Sequence, residues 1–216
     1  MCFSIDPAYY LDRAIDINPD HFSATLLRAE ILIDQGCATA AISLINTYLS
    51  KNGDQPELLN FLANHYLTEG QIDAAESYNN KALIKKPRSY ESLYTGFLIK
   101  KTQGDKFSAI HFLERIMRDD DHSFDVYWQM SQLLDEPEEL TKKVTLLEIA
   151  FSMNARGEIF LQLINGYLDL IASDHSKQNS TTYCVQLSEY ISNPQFKDLP
   201  KSTQQTAYSL TAVLKK

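Results

Sequence analysis

The chain has 216 residues, 44% hydrophobic and 22% charged, with only seven Gly and seven Pro against 12 Tyr and ten Phe. That composition excludes a wholly disordered chain and disfavours an all-β sandwich or barrel, which needs a turn about every 8 to 12 residues. A formal net charge of −8 opposes non-specific attraction to nucleic acid or anionic lipid, and no stretch approaches the roughly 20 apolar residues of a membrane span.

The N-terminus, Met1 to Pro7, has neither the basic nor the apolar region of a secretion signal, so the expectation is a cytoplasmic chain. The first element is a helix over 7–19. It is followed by four segments of equal length, 22–55, 56–89, 90–123 and 124–157, because the sequence repeats with one period: Gly36, Gly70 and Gly104 stand 34 residues apart. The same step carries Ala41 to Ala75 to Ala109, Ala29 to Ala63, and Leu59 to Leu93 to Tyr127 to Leu161. Within 56–89, Leu59, Leu62, Ala63 and Tyr66 form one helical stripe. Gly70 is suited to a left-handed turn, and a second stripe with Ala74, Ala75, Tyr78 and Ala82 starts at Asp73 as N-cap and stops before Pro87. Each period therefore predicts a helical hairpin whose alanines sit where the helices cross.

An irregular unit starts at Glu158, and the pattern loosens after Ile171. Ser173 to Ser180 is a polar insertion. A helix resumes around Thr182, with Tyr183, Leu187, Tyr190 and Ile191 at helical spacing, and Pro194 ends it. The last element runs from Ser202, read as an N-cap, to Leu214. The expected organisation is an array over 1–172 and a closing segment over 173–216. A chain that opens on the second helix of a hairpin is also the expectation for a piece of a larger protein.

Leu59, Leu62, Ala63, Tyr66, Gly70, Ala75, Ala82 and Pro87 resemble the pattern of the tetratricopeptide repeat. Thr25 in place of a large residue, the swapped order of Gly96 and Phe97, and Pro137-Glu138 where a Gly turn belongs depart from it. The resemblance implies an all-α fold, a right-handed α-solenoid of antiparallel helix pairs. It also implies a non-catalytic scaffold or adaptor that holds a protein or peptide segment in a groove lined by the first helix of each hairpin. Two other functions remain open: the recognition arm of a multidomain enzyme such as a sulfotransferase, glycosyltransferase or methyltransferase, and a chaperone for secreted or pilus components.

Carried over by register, the partner-binding residues are Glu30, Asp34, Asn60, Asn64, Tyr94, Leu98, Lys101, Trp128, Gln132 and Gln162. Tyr94 and Trp128 occupy equivalent places, where they either anchor a partner or pack between repeats. At repeat positions 2, 5, 9, 12 and 13 of the five first helices, eight of 25 residues are acidic (Glu30, Asp34, Glu57, Glu91, Asp125, Asp135, Glu136 and Asp169) and only Lys101 is basic. First-turn placement, which the helix dipole favours, accounts for Glu57, Glu91 and Asp125. The partner expected is therefore a basic segment. Two specialisations of the family lack their residues. A chaperone-type carboxylate clamp uses Lys and Asn on one first helix, Asn on the next and Lys and Arg on the third, whereas the corresponding residues Asn60, Asn64, Thr95, Asp125 and Gln129 include no cation, and an asparagine ladder would need Asn at Leu27, Phe61, Thr95 and Gln129.

Enzymatic motifs are missing from the sequence. It has no Walker-type Gly-Lys-Ser/Thr, Gly-x-Gly-x-x-Gly, His-Glu-x-x-His or Cys-x-x-Cys. His21, His65, His111, His122 and His175 are scattered over separate units, and no cofactor or metal is expected. Cys2, Cys37 and Cys184 are too widely spaced for a disulfide framework or a metal site; Cys37 reads as a surface thiol and Cys184 as a small buried hydrophobe. Asp119 to Asp121 and Asp135 to Glu139 read as solvated loops without calcium-loop spacing.

Overall fold

A computed structural model of the chain describes residues 7–118, 123–174 and 179–212. Asp119 to Asp121, His122 and His175, together with Cys2 and Leu214, lie outside them. The described residues form twelve α-helices and two short 3-10 helices, with no strand, and fall into two compact units, Met1–Arg115 and Ile116–Lys216.

The first unit is built from α1 (Pro7–Ile17), α2 (Phe22–Asp34), α3 (Ala38–Asn52), α4 (Pro56–Thr68), α5 (Ile72–Lys85), α6 (Tyr90–Thr102) and all but the last three residues of α7 (Lys106–Arg118). Three of its turns share one construction. At Gly36, Gly70 and Gly104 φ is +75°, +72° and +75°, left-handed backbone that a Cβ would penalise. Around Gly70, its own N–H bonds Leu67 O at 3.0 Å and Gln71 N–H bonds Tyr66 O at 2.8 Å, so two carbonyls orphaned by the end of α4 are satisfied. The same pair of bonds recurs at Gly36 and Gly104. Such a tight reversal lays the two helices of a hairpin side by side. Ala29 and Ala41, and Ala63 and Ala75, are fully buried in the two hairpins α2–α3 and α4–α5. Beside the second crossing the rings of Tyr66 and Tyr78 stack with centroids 5.4 Å apart.

Successive hairpins are also pinned by charge. Arg28 Nε reaches Asp12 Oδ1 at 2.6 Å from α2 to α1, and Lys100 Nζ meets Glu76 Oε1 at 2.5 Å from α6 to α5. Glu76 is held below the usual glutamate range chiefly by its hydrogen bonds from Lys100 and Gln103. Where the sequence swaps the small and large residues of α6, Gly96 becomes the point of close approach: a Cβ there would lie 2.6 Å from the Phe112 ring of α7. Phe97 beside it is fully buried.

The second unit contains α8 (Phe124–Leu133), a 3-10 turn (Pro137–Glu139), α9 (Leu140–Met153), α10 (Gly157–Ser173), α11 (Ser180–Ile191), a second 3-10 turn (Pro194–Asp198) and α12 (Lys201–Ala212). Leu147, Phe160, Leu163, Ile164 and Leu187 are fully buried in it. Asp174 closes the polar insertion: its Oδ2 accepts from Asn179 N–H at 2.8 Å, Ser180 N–H at 2.7 Å and Ser180 Oγ at 2.8 Å, which caps the start of α11. Both units are stacks of antiparallel helix pairs, the architecture of an α-solenoid.

Local readings differ at helix starts. Asp73 is not the N-cap of α5; Gln71 is, and Asp73 sits in the first turn, where the helix dipole favours a carboxylate. Ser202 is likewise inside α12, which begins at Lys201, and α11 starts at Ser180, before Thr182. The acidic stretch around Pro137 is not plain loop, because Pro137–Glu139 winds into a 3-10 turn with Glu136 N–H bonded to the Glu139 carboxylate at 3.4 Å.

Gly166 gives a direct test of the packing. A Cβ there would stand 2.7 Å from Val144 Cγ2, and Val144 is buried and stiff at χ1, so it cannot swing aside. Gly166→Ala gains about 1 kcal/mol of helix propensity but meets an overpacking cost of about 1–3 kcal/mol. We expect a net loss in denaturant melts, while Gly157→Ala, which meets nothing within 4 Å at the start of the same helix, leaves stability unchanged or slightly raised. Equal stability of the two variants would remove the close approach from this account.

Candidate functional site

The first helices of the first unit carry both core residues and the lining of a pocket. In α4, Pro56 takes the first helical position, where its missing N–H costs nothing, and Leu58, Leu59, Leu62 and Ala63 turn into the core. α6 starts on Ser89, whose Oγ accepts from Ser92 N–H at 3.3 Å and donates to Glu91 Oε2 at 2.7 Å. That hydrogen bond is the main reason the Glu91 carboxyl titrates below the usual range, so Glu91 is a carboxylate near neutrality.

Between α2, α4 and the start of α6 lies a pocket of about 290 Å³, lined by Leu26, Glu30, Pro56, Glu57, Asn60, Phe61, Asn64, Ser89 and Glu91. Glu30, Asn60 and Asn64, three residues read from the repeat register, are thereby brought together. Asn60 is only 8% exposed, and its Oδ1 has no hydrogen-bond partner. Asn64 is exposed and its Oδ1 accepts from Thr95 Oγ1 at 2.9 Å. Lys86 Nζ approaches Glu57 at 3.5 Å, between two exposed side chains, and offsets part of the local acidity.

The other register residues lie apart from this pocket. Asp34 is exposed as the last residue of α2. Tyr94 is half-buried and stacks on Tyr90 with centroids 5.8 Å apart, touching Phe97 as well, so its ring is engaged by its own helix. Leu98 is half-buried, and the exposed Lys101 holds Nζ 5.6 Å from the Phe97 ring. In the second unit Trp128 is half-buried, and Gln132 and Gln162 bond each other, Gln132 Nε2 to Gln162 Oε1 at 2.7 Å with the reverse bond at 3.3 Å. A second pocket of about 460 Å³ in that unit gathers Asp135, Glu136 and Asp169 with Leu140 and Lys143. Ser89, Pro56 and Phe61 are pocket residues that the groove register does not name. Ser89 carries one sequence signal, a Ser standing one residue before a helical stripe.

Chemistry-bearing side chains elsewhere have structural partners. His21 caps α2, its Nδ1 accepting from Ala24 N–H at 3.2 Å. Cys37 is exposed and Cys184 buried, and burial raises the Cys184 thiol above its ordinary value. Among the described residues no group of three or more His, Cys, Asp and Glu side chains is arranged to hold a metal, and no helix is long and apolar enough to cross a membrane.

No protein-family model matches the sequence, and no curated protein is similar to it. Solved structures do match. The structure of PilF from Pseudomonas aeruginosa aligns with a TM-score of 0.64 at 14% identity, covering 87% of this chain and 85% of that one. YrrB, described as a tetratricopeptide-repeat protein with an unusual peptide-binding site, aligns with a TM-score of 0.63 at 14% identity over 96% of this chain and 98% of that one. PilW, described as a type IV pilus biogenesis factor, aligns with a TM-score of 0.61 at 17% identity over 87% and 86%.

The second unit supplies an electrostatic test. Tyr167 and Tyr190 both donate to Glu148 Oε1, the latter at 3.4 Å. Burial first, then the Glu148 charge and hydrogen bond, pushes Tyr190 up to about 12 from 10.0, and burial with the Glu148 bond raises Tyr167 further. A tyrosine whose folded value is raised stabilises the fold fully below its ordinary value and loses that contribution as pH climbs through the folded one. Thermal melts should therefore decline from about pH 10 toward pH 12, and the Tyr167→Phe/Tyr190→Phe double variant should show a shallower decline. An unchanged alkaline limb in that variant would detach the two phenols from stability.

Proposed function

We propose that this chain, which has the tetratricopeptide-repeat fold, is a non-catalytic scaffold or adaptor that binds a segment of another protein along the first-helix side of its hairpins. The observation that carries the reading is the pocket of about 290 Å³ walled by α2, α4 and the start of α6, where carboxylates, amides and apolar side chains converge. In the first unit Glu30, Asn60 and Asn64 are the polar contacts in the pocket, with Asp34, Leu98 and Lys101 on the same first helices by the repeat register; in the second unit Gln132 and Gln162 take the corresponding places. Tyr94 in the first unit and Trp128 in the second are the apolar anchors by the repeat register. The partner is protein or peptide of net positive charge, in keeping with a chain of net charge −8.

A narrower reading, an adaptor in pilus or secretion assembly, has in its favour the likeness of fold to PilF and PilW. Identification of the proteins that co-purify from the native source tests it, because absence of any assembly component removes it.

Kinetics with the identified partner test the broader reading. Trp128→Ala should raise the dissociation rate, since a buried aromatic anchor acts after docking, while Glu30→Gln with Asp34→Asn should lower the salt-sensitive association rate. A partner that binds equally well at low and high ionic strength and ignores Trp128→Ala would place the interface on another surface.

A further inference from the structure

The pocket between α2, α4 and α6 has a polarity that selects among side chains. Its charged lining is wholly acidic, Glu30, Glu57 and Glu91. Lys86 meets Glu57 only at 3.5 Å with both side chains about half exposed, and its charge also reaches Glu91. Beneath the acids, Asn60 Oδ1 is buried without a donor. A buried carbonyl left without a hydrogen bond destabilises the folded chain, so its presence needs an explanation, and a donor arriving from outside supplies one. Apolar side chains share the lining: Leu26 and Pro56 are aliphatic, and Phe61 is aromatic.

We propose that this pocket is an arginine subsite for the bound segment, a refinement that rests on the scaffold reading above. A guanidinium carries five N–H donors in a planar fork and remains charged at any physiological pH, so one group can bond the Asn60 carbonyl and pair with Glu30 and Glu57. Its three methylenes lie along Leu26 and Pro56, and its plane meets the Phe61 ring. A lysine ammonium is a more strongly hydrated point charge without that fork, and is the weaker occupant. Asn64, turned toward Thr95 by the 2.9 Å bond, keeps its carbonyl out of the competition. Glu91 remains ionised beside the Ser89 hydroxyl and adds charge at the rim.

The test uses the full chain and three pentapeptides, Gly-Ser-Arg-Ser-Gly and its lysine and citrulline counterparts, titrated while the side-chain amide signals of Asn60 and Asn64 are followed by NMR. The arginine peptide should shift the Asn60 amide saturably. Citrulline, which keeps the shape and loses the charge, should bind weaker by about tenfold or more, as should the arginine peptide to Asn60→Leu, because each change removes part of a charge-assisted hydrogen bond. Asn60→Leu also removes the unpartnered carbonyl, so its melting temperature should rise and misfolding cannot account for lost binding. Equal binding of the arginine peptide to wild type and Asn60→Leu, equal binding of arginine and citrulline, or the absence of any saturable shift would overturn the subsite. The scaffold reading is separable, since it is decided by the partner's response to Trp128→Ala and to salt.

Discussion

The distance at which two helices can pass one another is the constraint on which the rest of this chain depends. Ala29, Ala41, Ala63 and Ala75 are wholly buried, and their small side chains let the axes approach until larger neighbours such as Leu59, Leu62 and Ile45 fill the space around them. Close-packed interiors leave no slack for an added methylene. The glycine turns serve the same end. A hairpin with close axes must reverse within a few residues, and the left-handed glycine with its two returning N–H bonds makes that reversal without leaving buried carbonyls unpaired.

How far this could be read from the sequence follows from how local each feature is. A left-handed glycine is required by its own backbone, so Gly36, Gly70 and Gly104 announce the turns and their period. Buried alanines at one step announce the crossings. What slips is the exact point of close approach. The 34-residue frame passes from Ala63 to Phe97, Ser131 and Asn165, yet the tight contacts are made by Gly96 and Gly166, one position before and one after. One residue turns a side chain by about 100° around a helix, so these crossings are rotated relative to the alanine ones, and only the partner helix decides by how much. Helix starts were missed for a similar reason. Asp73 and Ser202 have N-cap chemistry, but Asp174 caps α11 from across the polar insertion, a relation that no spacing rule contains.

The pocket shows the same division. Register places Glu30, Asn60 and Asn64 on first helices, and it places Asp34, Leu98 and Lys101 there too. Register says which side of a helix a residue takes, whereas enclosure depends on what the neighbouring hairpin brings beside it. Here the start of α6 completes the wall with Ser89 and Glu91, so Asn60 and Asn64 of α4 line the pocket while Asp34 and Lys101, near the C-terminal ends of α2 and α6, lie outside it. Tyr94 was legible as a large residue at the right place, but its stacking on Tyr90 four residues earlier depends on rotamers that the pattern does not specify.

Three bases of the first unit are engaged by carboxylates within it. Lys100 is held by Glu76 and Gln103, Arg28 by Asp12, and Lys86 by Glu57. The first two pairs join neighbouring helices and involve neither Glu30 nor Glu91, so the pocket side keeps its acidic excess. Two effects of that excess act over different ranges. The field of a chain with net charge −8 reaches solvent and is screened within about 8–10 Å at ordinary salt. A hydrogen bond to a buried carbonyl is short-ranged and escapes that screening. In the proposed subsite, steering toward the surface and selection within the pocket would thus be separate physical events, the first set by total charge and the second by Asn60.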